Sequence, residues 1–394
     1  MTFSLSQRDE ALKGNVQDAL ILLQSPLRIG FGRVRLVWPQ GRNIAWKALM
    51  PGVAPVPQPA KGNRTELTIS LPVAKLPEMP KNMPARFEPL PLIPFSSFKN
   101  WSDVAATMGA LYQPAGTIVA GTELARAVDE IAARSPDPVQ RMADALRLVQ
   151  DNVRYVFMAM GTGNYVPQSP AQTWAKRYGD CKAKTLLLLA MLDRLGIVAE
   201  PVLANTRRGD GVVEMLPSAM AFDHVFVRAQ VGEESFWLDG TMLGSRMADI
   251  RDVPRYGFVL PLFAKQSALV RLPDRANARP ALDMDLAYDM SAGPHLPAPY
   301  TLKVRYTGQL AQEVKIDQGG DFDERLRKFA ENLANSWTDS DEIGGFHAEY
   351  DPIQAVWDHI RRYGRSMSKG WPIRTGNFMR ATTNWRSHLR SRLS

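Results

Sequence analysis

The sequence predicts an α+β protein in which a mixed core of helices and strands is flanked by β-rich regions. Three observations carry this expectation: apolar residues alternate with polar ones in short runs before residue 72, recur at helical spacing from about residue 103 to 195, and alternate again in paired runs that end at residue 241. The chain of 394 residues holds 28 Gly, 29 Pro, 45% hydrophobic and 22% charged residues, enough apolar material for a packed core, which excludes disorder as the main state.

Residues 1–95 read as a sheet domain. The run LRIGFGRVRLVW (27–38) and the alternation of Leu67, Ile69 and Leu71 are strands between turn-rich patches. Six prolines between Pro77 and Pro94 each remove a backbone donor and bias the preceding residue away from helix, so an extended connector and a domain boundary near residue 95 are expected.

Residues 96–262 form the predicted core. Helices are expected over 103–111, 122–134 and 138–153, the last with Met142, Leu146 and Val149 on one face and Ser135 or Asp137 as its cap. GTGNYVPQSP (161–170) is a loop. KAKTLLLLAMLDRLGI, made of strong helix formers, has Asp180 as its N-cap and closes at Gly196. AEPVLAN (199–205) is a strand, and FDHVFVRAQV (222–231) and FWLDGT (236–241) form an antiparallel hairpin about the polar turn GEES. A third, β-rich region (263–360) contains a strand over TLKVRYTG (301–308) and a helix near 321–337.

The net charge of +8 belongs to one end of the chain. After residue 360 there are Arg361, Arg362, Arg365, Arg374, Arg380, Arg386, Arg390, Arg392 and Lys369 but no acidic residue, whereas the remainder is nearly balanced. Residues 361–394 therefore read as a solvated, poorly ordered tail, capable of nonspecific nucleic-acid contact at most. No apolar run reaches the length of a membrane span, and the opening MTFSLSQRDEALKG has no pattern of an export signal.

Neither a cofactor nor a metal is expected. TDSDEIGG resembles a calcium loop but has Ile343 at a ligand position and Tyr350 where a bidentate carboxylate belongs; MGTGNYV lacks the third glycine of a dinucleotide loop, and HExxH is absent. A single cysteine, Cys181, excludes an internal disulfide framework and a multi-cysteine zinc site.

A lone cysteine is commonly a small core residue. Cys181, however, follows the expected N-cap Asp180, in the first turn of a helix, where free N–H groups and the helix dipole favour an anion; Lys182 and Lys184 add to this. A thiolate nucleophile needs an imidazole to protonate the leaving group and an acceptor to orient that imidazole. His224 and Asp239 suit these roles, because a hairpin turning near residues 232–235 puts them at diagonal positions on neighbouring strands.

The order of Cys181 at a helix start, His224 on a strand and Asp239 at the end of the next resembles the transglutaminase-like cysteine fold. VRYV, YVPQSPAQTWAKRYGDCKAKT, LLLLAMLDRLGIVAEPVLANT, FDHVFVRA and FWLDGT carry the resemblance, over roughly residues 139–241. More narrowly, the chain is similar to bacterial proteins in which a β-sandwich domain of unknown function precedes a papain-like core. The resemblance implies that Cys181 is the nucleophile, His224 the base and Asp239 the orienting acid, with an oxyanion donor from the Cys181 backbone and Trp174 as candidate for a second. It departs from the family at Ala183, where a carboxylate (GDCKD) is common, in its short N-terminal domain and in its tail. The short domain implies an N-terminally incomplete sequence and leaves a periplasmic or secreted location open. The expected activity is that of a cysteine amidase or peptidase acting through a thioester on a peptide or amide substrate. The competing expectation is a catalytically inactive module that binds partners or builds the cell envelope.

Overall fold

The computed structural model describes residues 8–26, 30–157, 165–264, 266–289, 300–316, 345–351 and 356–362, with the single positions 291, 293 and 328. The chain divides into two units, the first comprising Met1–Asp283, Tyr306–Asp317 and Tyr350–Trp357, and the second Met284–Arg305, Gln318–Glu349 and Asp358–Ser394.

In the first unit, strand-forming runs give β1 (Gln17–Ile21), β2 (Gly32–Pro39), β3 (Ala45–Trp46), β4 (Gln58–Ala60), β5 (Arg64–Leu71) and β6 (Leu92–Ser96). They pair antiparallel in two three-stranded sheets, β1-β6-β3 and β2-β5-β4. The period of two along β2 turns Val34, Leu36 and Trp38 toward Leu67 and Ile69 of β5, and these join Leu22, Met50 and Ile93 in one apolar cluster shared by both sheets. Burying each such Leu or Ile side chain contributes about 1.5–3 kcal/mol.

Strand β6 corrects the expectation that the whole proline-rich stretch is a connector. Leu92–Ser96 is the central strand of its sheet, with Pro94 opposite Ala19 of β1 and its carbonyl accepting from Lys47 N at 3.1 Å. A proline removes only its own donor, so a strand survives where the carbonyl and the neighbouring residues supply the pairing.

Helices α1 (Trp101–Gly109), α2 (Glu123–Arg134) and α3 (Pro138–Asn152) follow, capped by the side chains of Asn100, Thr122 and Asp137. Next come β7 (Arg154–Tyr155), α4 (Pro170–Lys176) and β8 (Tyr178–Gly179), with β7 and β8 pairing in parallel. Helix α5 (Cys181–Arg194) starts immediately after β8 and ends at Gly196, whose φ of +72° is the left-handed turn that glycine adopts without strain. Strands β9 (Val198–Ala204), β10 (His224–Val231), β11 (Glu234–Leu238), β12 (Phe258–Pro261) and β13 (Val270–Arg271) form an antiparallel sheet in the order β11-β10-β9-β12-β13.

Helix α5 packs on β9 and β10 and against α3 and α4, so it is covered on every side, and Leu187 to Leu192 are at most 1% exposed. A helix apolar all round belongs at the centre of a domain.

Strands β14 (Leu282–Tyr288) and β15 (Tyr300–Thr307), helix α6 (Gly308–Ile316) and strands β16 (Gly345–Asp351) and β17 (Val356–Arg362) complete the described chain. The four strands form a sheet ordered β14-β15-β17-β16, most of which belongs to the second unit. The architecture is α+β. The expected helix near 321–337, apart from position 328, the acidic loop over 338–344 and the tail beyond residue 362 lie outside the described residues. Among the described residues, no helix is long and apolar enough to cross a membrane.

Candidate active site

Cys181 is the first residue of α5, and the residues around it are fixed by the start of that helix. Asp180 is extended (φ −85°, ψ −172°) and accepts from Ala183 N through Oδ1 at 3.0 Å. Its other oxygen is paired with the Lys182 ammonium, and both side chains are buried. Lys184 is also fully buried, and its Nζ donates to Val153 O at 2.5 Å. Burial pushes the Lys184 amine down to about 8, against the pull of Asp239 and Asp151.

The approach to Cys181 is tight. A Cβ at Gly179 would come within 2.7 Å of the Ala183 Cβ and 3.3 Å of Thr173 Cγ2, so only glycine lets the chain pass between α4 and α5 here. Ala183 is fully buried, with its methyl against that glycine.

His224 opens β10 and Asp239 lies one residue beyond β11. The register of the hairpin ends at Val227↔Leu238, which puts Asp239 diagonally across from His224. His224 Nε2 and Asp239 Oδ2 are 2.8 Å apart, both side chains being almost fully buried. Asp239 Oδ1 accepts from Thr241 N at 2.9 Å and Thr241 Oγ1 at 2.7 Å, and Oδ2 accepts also from Tyr256 Oη at 2.7 Å. Burial alone would raise the Asp239 carboxyl, but His224, Thr241 and Tyr256 outweigh it and hold it well below the usual carboxylate range. Burial likewise opposes charge on His224, yet Asp239, helped by Cys181, pushes the imidazole up to about 10. The imidazole lies parallel to Phe226 at 6.2 Å and edge-on to Tyr256 at 5.5 Å.

The structure thus brings Cys181, His224 and Asp239 together: the thiol is close enough to the imidazole to favour its proton, and Asp239 engages Nε2. Trp174 stands on α4, buried in the same apolar cluster as Cys181. Its Nε1 is buried with no hydrogen-bond partner among the described residues, and the Arg177 guanidinium lies 3.8 Å over its ring. Two phenols complete the surroundings. Burial and the charges of Cys181 and Asp180 push Tyr112 well up, and the same causes, with Asp239, push Tyr155 to about 12.

Three supports of the site were not visible in the sequence. Gln150, buried in α3, donates through Nε2 to Asp239 O and to Ser245 Oγ, both at 2.9 Å, and accepts from Ser245 N at 3.0 Å, clamping the loop after Asp239. Lys182 reads in the sequence as a cation favouring an anion at Cys181, whereas the structure pairs it with Asp180, and Tyr256 lies in the segment VPRYGF, which carries no chemical motif. Among the described residues, no cluster of His, Cys, Asp and Glu could hold a metal ion.

No family model and no curated protein matches the chain. Solved structures do. A candidate protease from Parabacteroides distasonis ATCC 8503 is similar at a TM-score of 0.47 and 13% identity, over 90% of this chain and 69% of that one. A candidate cysteine protease from Cytophaga hutchinsonii gives 0.29 and 11%, over 66% of this chain and 86% of that one. A TGase gives 0.24 and 11%, over 38% of this chain and 41% of that one. At such values the likeness identifies neither a reaction nor a substrate.

Proposed function

We propose that the chain is a transglutaminase-like cysteine hydrolase of the amidase or peptidase type, with Cys181 as nucleophile, His224 as acid and base, and Asp239 as the group that orients His224. One observation carries the reading: a lone thiol at the start of a central helix, beside an imidazole whose Nε2 is held at 2.8 Å by a buried carboxylate.

The reaction follows from the placement of protons. Sγ attacks the amide carbonyl carbon as the thiolate, and the oxygen charge that develops is met by the Cys181 N–H, in a first helical turn where N–H groups have no intrahelical acceptor, and by Trp174 Nε1, which has no partner among the described residues. The C–N bond breaks as the imidazolium gives its proton to the leaving amine, leaving a thioester and a neutral His224. His224 then takes a proton from water or from an acceptor amine, which attacks the thioester and releases an acid or a new amide with return of the thiolate and imidazolium. Peptide, isopeptide and small amide substrates all suit this chemistry.

Burial of Cys181, which is 2% exposed, favours a second reading, an inactive module of the same fold used for binding or envelope architecture. Alkylation separates the two, because Cys181 is the only thiol in the chain. In the first reading, iodoacetamide labels the native protein at pH 6 at least tenfold faster than His224→Ala. Slow labelling that is the same in both proteins would refute the enzyme and leave the module.

A further inference from the structure

Outside the three residues already assigned, Tyr256 is a side chain that touches two of them, Asp239 and His224. Its hydroxyl donates at 2.7 Å to Asp239 Oδ2, the same oxygen that holds His224 Nε2 at 2.8 Å. Its ring meets the imidazole edge-on at 5.5 Å and 71°, and meets Phe226 at 5.5 Å and 72°. The backbone leaves it little freedom. A Cβ at Gly209 would fall 1.6 Å from Tyr256 O, and Gly257, at φ +67°, sits against Asp210 with its carbonyl accepting from Leu272 N at 2.8 Å. A side chain pinned in this way is a built part of the site.

We infer that Tyr256 is a positioning residue that acts through Asp239: by donating to the oxygen shared with His224 it restrains the carboxylate's hold on the imidazolium, so that the proton can be given up to a leaving amine. This rests on the reading of the site as a Cys-His-Asp constellation. The charged and titratable groups facing the pair are Cys181 at the imidazole, Lys184 near the carboxylate, and Asp223 and Tyr155 beside the Tyr256 phenol. Among the described residues Oδ2 is hydrogen-bonded by the imidazole and by the phenol, so the phenol is the donor whose removal addresses that oxygen.

The physical consequence has a definite sign. A carboxylate oxygen that loses one of two donors attracts the other more strongly. In Tyr256→Phe, which keeps the ring and its contacts, the pH at which His224 loses its proton should rise by about 0.5–1 unit. The measurement is a ¹⁵N NMR titration of the imidazoles in the full chain, with the His224 signal assigned by its disappearance in His224→Ala. Placing 3-fluorotyrosine at position 256 makes the phenol a stronger donor and should move the same titration downward. Opposite shifts in the two proteins support the inference; an unchanged titration, or shifts of the same sign, would overturn it. The titration requires no turnover, so it succeeds or fails separately from the alkylation of Cys181: a reactive thiol with no shift refutes only the role of Tyr256.

Discussion

His224 concentrates the electrostatics of the site, and its protonation has a consequence for the stability of the whole chain. Its imidazole goes from an ordinary value of 6.5 up to about 10, because Asp239 and Cys181 outweigh the cost of burial. A raised value means that the folded chain binds the proton more tightly than the unfolded one, so the stabilisation is complete below about 6.5 and is lost as pH rises toward 10. Asp239 works in the other direction. Held below its ordinary 3.8, it stabilises the fold above that value and loses its contribution as pH falls. The difference in urea unfolding free energy between the native protein and His224→Ala should therefore be greatest between about pH 4 and 6.5, then shrink steadily toward pH 10. A difference that stays flat across that range would mean that the pair is not charged in the folded state.

Helix α5 shows the same economy of charge at the scale of an element, and it shows how far the sequence can be read. Its ends were legible because Asp180 and Gly196 are local signals: one supplies a side-chain acceptor, the other a left-handed turn. The diagonal relation of His224 and Asp239 was legible for a similar reason, since a short polar turn fixes the register of a hairpin. What could not be read depends on residues distant in the chain. Lys182 and Lys184 read as cations acting on Cys181, but packing buries them against Asp180 and Val153 O instead; β6 is hidden by Pro94, because pairing with β1 and β3 outweighs one missing donor; Tyr256 meets Asp239 across a gap of 17 residues. The buried Asp180 and Lys182 pair gives a prediction specific to this helix. Asp180→Ala removes a cap worth about 1 kcal/mol and strands a buried ammonium, for a total loss of about 3–5 kcal/mol in urea unfolding. In Asp180→Ala with Lys182→Met the stranded charge is gone, and all but about 1–2 kcal/mol should return. A double variant as unstable as the single one would show that Lys182 does not depend on Asp180.

At the scale of the molecule, the question is whether the N-terminal sheets are an appendage or a part of the site's support. Polar contacts argue for support. Gln17 of β1 accepts through Oε1 from Ser218 Oγ and Ala219 N, both at 2.8 Å, and donates through Nε2 to Tyr165 Oη at 2.6 Å. Ser96 Oγ donates to Pro217 O at 2.7 Å, Lys47 Nζ to Glu214 O, and Arg208 to Glu88 O, while Arg86 pairs with Asp210 at 3.0 Å. These bonds converge on residues 208–219, the stretch leading into His224, and on Asp210, whose turn presses against Gly257 beside Tyr256. Residues 1–283 fall within one compact unit accordingly. An independent appendage would leave this stretch to be held by the core alone. Gln17→Leu tests this, because it is similar in size but strips three partners of their bonds at once, at a cost of about 2 kcal/mol for groups only partly buried. Thermal unfolding should remain a single transition at a lower midpoint, and the Ala219 amide should exchange with solvent about tenfold faster, since about 1.4 kcal/mol corresponds to a factor of ten. Two separated transitions, with exchange at Ala219 unchanged, would instead mean that the sheets fold by themselves and that the approach to His224 is held from within the core.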